Sequence, residues 1–179
     1  MKRWNGWGDD KNDLDYELSG ATLAYLEVLI GSSEALREAS LEQVLETVPA
    51  SQLAAHDLYS IDAEDRLRHA RGQSLPDWLA LRSGELGVFP DAVAFPQNSE
   101  DVQALLHHAG EHQIDVIPYG GGTSVVGHIN PEAQGRPVLT IDMTRMNELM
   151  DLDRDSQIAT FGAGTVGPEI ESQLAAQGY

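Results

Sequence analysis

The spacing of apolar residues changes near residue 90. Upstream, Leu23, Leu26 and Ile30 recur at helical intervals, with Glu27 between them, until Gly31-Ser32-Ser33 interrupts the run. Ser40-Leu41-Glu42-Gln43 has capping-box form and predicts a second short helix through Val44, Leu45 and Val48, stopped by Pro49. Residues 20–56 therefore read as an all-helical appendage. Downstream, short apolar runs bounded by Pro and Gly take over. A strand at 92–95 lies between Pro90 and Pro96. Asn98 or Ser99 caps a helix with Glu100 and Asp101 in its first turn and Val102, Leu105, Leu106 and Ala109 as its apolar stripe. A strand at 114–117 follows, so residues 90–120 form a βαβ-like unit. Two more strands are expected at 137–142 and 157–161, the latter after the polar turn Asp153-Arg154-Asp155-Ser156. Gly162-Ala163-Gly164-Thr165 closes that strand, and a helix opening at Pro168 runs through Ile170 and Leu174 to Gly178. The predicted class is α+β, with an N-terminal arm and helical region at 1–89 and an α/β unit at 90–179.

Composition narrows the possibilities. At 179 residues the chain is one domain or slightly more, and 41% hydrophobic residues suffice for a core. No run of 18 apolar residues exists, so no spanning helix is expected. The first residues lack the apolar stretch of a secretory signal, and the chain has no cysteine, which removes disulfides, thiolate catalysis and Cys-type zinc sites. The cytoplasm is the simplest compartment. The formal net charge is −18, with Lys2 and Lys11 the only lysines. Such a field repels nucleic acid and anionic membranes. An anionic ligand would need local N–H groups and a few arginines to override it. Arg66, Arg68, Arg71 and Arg82 cluster between Tyr59 and Gly87, just after Asp62, Glu64 and Asp65. Surface ion pairing is the expectation there, and the alternative is that one or two arginines face an anion site. Trp4 and Trp7 flank Asn5-Gly6 and predict an arm tied down onto the body.

The candidate chemistry centres on Pro118-Tyr119-Gly120-Gly121-Gly122-Thr123-Ser124-Val125, at the exit of the predicted 114–117 strand. Glycine lets a backbone approach a ligand closely, and successive N–H groups in such a turn form a concave nest for a phosphate or pyrophosphate. The P-loop pattern fails here, because His128 and Ile129 stand where Lys and Ser/Thr are required. The G-x-G-x-x-G fingerprint also fails, with Val125 at its third glycine and no helix opening behind. His108 and His112 have the spacing of a metal pair, but HExxH is absent and a solvated helix face is expected. His128 either reaches a bound cofactor or sits in a surface turn. No nucleophile–base–acid triad can be assembled, which points to a cofactor or to residues elsewhere.

Pro90-Asp91-Ala92-Val93, Asp101-Val102 and the 117–125 segment together resemble the first FAD-binding segment of the vanillyl-alcohol-oxidase-type (PCMH-type) flavoproteins. Trp4-Asn5-Gly6-Trp7-Gly8 is similar to the opening signature of the alkyldihydroxyacetonephosphate synthase (alkylglycerone-phosphate synthase) branch. Asp65-Arg66, Arg82-Ser83-Gly84, residues 142–147 and Gly162-Ala163-Gly164 agree with it. The resemblance implies that residues 118–125 wrap the FAD pyrophosphate. Thr123 stands where several relatives tether the flavin to histidine, so FAD would be non-covalent. It also implies exchange of the acyl group of acyl-dihydroxyacetone phosphate for a fatty alcohol, without net redox, in ether lipid synthesis. The alternatives are an FAD-linked 2-hydroxy-acid oxidase or dehydrogenase, or a non-catalytic module. By the same resemblance the chain is an N-terminal piece of a longer protein, a possible homodimer, with its proton-transfer residues beyond Tyr179.

Overall fold

The computed structural model describes residues 3–8, 18–34, 38–133 and 135–179. At its centre lie three parallel strands, β1 (Ala92–Ala94), β2 (Asp115–Tyr119) and β3 (Val138–Asp142), in the order β1-β3-β2. Leu139 of β3 stands opposite both Ala92 and Val116. A central parallel strand must be buried on both faces, and every residue of β3 is. The crossover from β1 to β2 is α5 (Ser99–His112), whose N-cap is Asn98, with its side chain accepting from the Asp101 N–H at 2.8 Å. Leu105 and Ala109 of its stripe pack with Ala92, Ala94, Ile114, Leu139 and Ile141 into the first core. The βαβ unit thus stands as its periodicity predicts. Leu106, assigned to the same stripe, is half-exposed.

The other face of this sheet is covered by residues from the first half of the chain. Helices α3 (Ala63–Arg68) and α4 (Leu75–Ser83) lie where apolar spacing predicts none. Six- and nine-residue helices are too short to display a period, and their capping residues specify them instead. Asp62 accepts from the Glu64 and Asp65 N–H groups, while Ser74 and Asp77 make a capping box and Gly84 ends α4 in the left-handed region. Leu67, Ala70, Leu81, Leu86 and Phe89 form a second core with Val44, and Trp4 packs against it. The arm is therefore tied down at Trp4, whereas Trp7 remains 53% exposed. Lys2, Lys11 and the rest of the 1–19 arm outside residues 3–8, 18 and 19 lie outside the described residues.

Two expectations need correction. Residues 20–56 are not all-helical. α1 (Gly20–Ile30) and α2 (Leu41–Leu45) are helices, but α2 ends before Val48, and the stretch to Ser60 is irregular. That stretch is held by its contacts, with the Gln52 N–H donating to Asp91 at 2.9 Å and Ser60 and Val93 exchanging backbone hydrogen bonds. The arginines are not all surface ion pairs. Arg68 meets Glu64 at 2.7 Å as expected, but Arg66 is buried and donates to the carbonyls of Pro90 and Pro49, each at 2.7 Å. Burial pulls its pKa down, against the charge of Asp91. The strand expected at 157–161 is present and lies outside the parallel sheet. As β5 (Ile158–Phe161) it pairs antiparallel with β4 (Leu149–Asp153), an acid-rich strand whose polarity hides it from a hydrophobic pattern. Helix α6 (Gly167–Ala176) is stitched to this hairpin by Gln173, which accepts from the Leu149 N–H and donates to the Asn147 carbonyl.

Candidate functional site

The glycine loop leaves β2 at Tyr119. Gly122 takes a left-handed φ of 71°, and the Tyr119 ring lies so close over it that an added Cβ would collide with the phenol hydroxyl. Gly121 is different, since a Cβ there would meet only Thr123 Cγ2 at 3.6 Å and Val166 Cγ1 at 3.8 Å. Glycine at 122 serves the turn, and glycine at 120 and 121 keeps space open. Among the described residues, the backbone N–H groups of Gly122, Thr123, Ser124 and Val125 donate to no protein acceptor. Backbone donors left without protein partners are satisfied by water or by a ligand. No helix opens within this loop.

The far half of the loop is anchored to the segment before α4. The Gln73 N–H donates to the Ser124 carbonyl at 2.6 Å, and Gly72 approaches that same carbonyl too closely for any side chain. The Gly72 N–H donates to Asn130 Oδ1 at 2.9 Å, and Asn130 Nδ2 donates to Asp77 at 2.7 Å. The loop is thereby clamped between its own strand and residues fifty positions away in sequence.

Beneath the loop lies a buried His–Asp pair. His69 Nε2 is 2.9 Å from Asp142 Oδ2 at the end of β3, and His69 Nδ1 is 2.6 Å from the Asp65 carbonyl. Burial alone would push the Asp142 carboxyl up. Hydrogen bonds from His69 and Thr144, with the His69 charge, outweigh that and hold it below the ordinary carboxylate range. The Tyr119 ring sits 4.5 Å from the His69 ring, centroid to centroid, and its hydroxyl is pushed up to about 12 by burial and by the negative charge of Asp142. Tyr119 is therefore a neutral donor at any physiological pH.

These parts surround a cavity of about 530 Å³. Of the eight residues singled out from the sequence, Tyr119, Gly121, Gly122 and Thr123 line it. Pro118, Gly120, Ser124 and Val125 do not, and Val125 borders a separate recess beside Asp77 and Asn130. The remaining walls come from Arg68, His69, Arg71 and Gln73, from Thr144, Gly164, Val166 and Glu169, and from the arm, where Arg3, Trp4, Gly6, Trp7 and Gly8 close one side. His69, Arg71 and Asp142 carry no motif and were missed as site residues; only the arginine cluster hinted at Arg71. His128 is exposed, does not line the cavity, and contacts Ser124 Oγ at 3.2 Å. His108 and His112 stack on one another at 4.2 Å, with His56 4.6 Å from His108, and no metal-holding cluster occurs among the described residues. Burial and the neighbouring His112 and His56 lower the pKa of His108, so that face is an aromatic stack.

Residues 90–179, half of the chain, match the family model described as "FAD binding domain". The chain belongs to that family. Alkyldihydroxyacetonephosphate synthase of Dictyostelium discoideum is 30% identical over 210 residues, taking in 98% of this chain and 34% of that protein. A solved structure of alkyldihydroxyacetonephosphate synthase superposes with a TM-score of 0.77 at 30% identity, covering 99% of this chain and 39% of that one. D-lactate dehydrogenase (cytochrome) of Kluyveromyces lactis is 32% identical over 85 residues, 48% of this chain and 15% of that protein. The chain thus spans about a third of the length of the synthases it matches. FAD is the cofactor of this FAD binding domain. The cavity suits its dinucleotide part, with open backbone N–H donors, a glycine surface that side chains would fill, and arginines on the facing wall. Bound FAD would supply the flavin chemistry, and these residues would supply binding and orientation.

Proposed function

We propose that this chain is the pyrophosphate-holding part of an alkyldihydroxyacetonephosphate-synthase-like flavoenzyme. In that reading residues 118–125 wrap the pyrophosphate, and FAD is held non-covalently because Thr123 offers no imidazole for a flavin bond. The reaction is exchange of the acyl group of acyl-dihydroxyacetone phosphate for a fatty alcohol. The observation that carries the reading is the arm. Trp4-Asn5-Gly6-Trp7-Gly8 borders the same cavity as the glycine loop, and similarity to the synthases extends across this arm and the whole chain. Similarity to the D-lactate dehydrogenase extends over only half of it, which supports the 2-hydroxy-acid oxidase or dehydrogenase reading less well. No catalytic residue is assigned, because the chain spans a third of those relatives.

The test uses the purified full-length protein. Yellow protein that releases FAD on acid precipitation, and that forms an ether product from acyl-dihydroxyacetone phosphate and a long-chain alcohol, is the expected result. Bleaching of the flavin by lactate or glycolate with no ether product would favour the dehydrogenase reading. Flavin that stays with the precipitated protein would contradict non-covalent binding.

A further inference from the structure

Arg71 has no carboxylate partner among the described residues, although the chain carries a formal net charge of −18. One guanidinium nitrogen, Nη2, donates to the Leu86 carbonyl, while Nε is buried and meets no hydrogen-bond partner among the described residues. A guanidinium carries five donors in a planar fork that matches the oxygens of a carboxylate or phosphate. A purely structural clip to Leu86 would use one donor and would leave no reason to keep a buried nitrogen unsatisfied in so acidic a chain.

The position of Arg71 supplies the reason. Its side chain lines the 530 Å³ cavity together with Gly121, Gly122 and Thr123. The next two residues, Gly72 and Gln73, are bound to Asn130 and Ser124, so the backbone that carries Arg71 is fixed relative to the open N–H groups of the loop. Backbone donors and a guanidinium that no described carboxylate neutralises, both at one cavity, define a site for an anion with several oxygens.

We propose that Arg71 binds the phosphoryl oxygens of the ligand seated against the glycine loop, namely the FAD pyrophosphate. This rests on the FAD reading above. Arg71 supplies the positive charge that a P-loop would take from the lysine missing at His128. The same chemistry would suit the phosphate of a substrate such as dihydroxyacetone phosphate, and the two sources are separable by experiment.

Full-length apoprotein, wild type and R71Q and R71K, would be titrated with FAD and with riboflavin, which lacks both phosphates, by flavin fluorescence. Circular dichroism would check that each variant is folded. R71Q is expected to weaken FAD binding by about 20-fold while changing riboflavin binding by less than about twofold, with R71K recovering part of the loss. The wild-type affinity for FAD should also fall more steeply with salt than that of R71Q. Equal losses for FAD and riboflavin would mean a structural clip and overturn the proposal. So would unchanged FAD affinity, including the case in which only dihydroxyacetone phosphate binding weakens. Wild-type apoprotein that takes up no FAD would sink the FAD reading itself, whereas normal wild-type uptake with an indifferent R71Q would sink the role of Arg71 alone.

Discussion

Two glycine turns close two strands of this molecule and look alike on paper. Gly120-Gly121-Gly122-Thr123 follows β2, and Gly162-Ala163-Gly164-Thr165 follows β5. In the second turn the donors are spent internally. The Gly162 N–H goes to the Glu148 carbonyl, the Gly164 N–H to Met146 and the Thr165 N–H to Gly162. A Cβ on Gly162 would run into the Met146 carbonyl, and one on Gly164 into the Met143 carbonyl. In the first turn, the N–H groups of Gly122 and Thr123 meet no acceptor among the described residues, and a Cβ on Gly121 would meet only side-chain methyls at ordinary contact distance. Glycine permits backbone-to-backbone packing in one turn and access to backbone donors in the other. Only the second of these is a binding feature.

The largest effect should come from the residue that joins the two turns. Asp142 pairs with His69 beneath Tyr119 and also accepts from the Thr144 N–H, capping the 3₁₀ turn Met143–Arg145 on which Gly164 rests. Asp142→Asn breaks this buried hydrogen-bonded pair and should cost about 4 kcal/mol in urea unfolding at neutral pH. A cost below about 1 kcal/mol would mean that the pair does not hold the turns together. The sign of the pH dependence follows from the depressed carboxyl. The folded state holds that proton more weakly than the unfolded chain, so the contribution is complete above about pH 4 and is lost as pH falls through the lower folded value. Wild-type protein should therefore lose stability on acidification more steeply than Asp142→Asn.

Next in size, Gly164→Ala should destabilise by about 3 kcal/mol, because its Cβ meets a backbone carbonyl that cannot swing aside. An unfolding midpoint unchanged from wild type would show that this turn has slack and would erase the contrast. Gly121→Val sharpens the other side. Its Cβ meets only the Thr123 and Val166 methyl groups at ordinary contact distance, so stability should move by less than about 1 kcal/mol, while FAD affinity in the full-length protein should drop about 30-fold, or ~2 kcal/mol. Undiminished FAD binding in a folded Gly121→Val protein would refute the nest.

Much of residues 90–142 was legible because the signals are local. Asn98 sits beside the helix it caps, Leu105 and Ala109 repeat within that helix, and 114–117 is a bounded apolar run. The glycine loop was legible for the same reason. Helices α3 and α4 were not, since they are shorter than the stretch over which a helical period can be recognised. Strand β4 was missed because Asp151 and Asp153 give it an exposed, polar reading, and it is a strand only through its pairing with β5. Arg66 looks like a surface residue in a charged run and is buried by its reach to Pro90 and Pro49.

The chain's own order of residues determined the βαβ unit, the cysteine-free acidic character and the presence of a phosphate-suited glycine loop. All of these depend on neighbours within one element or on composition alone. Tertiary structure decided what surrounds that loop. His69 meets Asp142 across 73 positions, Gly72 and Asn130 across 58, and the tryptophan arm reaches the same cavity from the far end of the chain. Contacts over such separations leave no periodic trace, because they are set by how the packed sheet brings distant segments together.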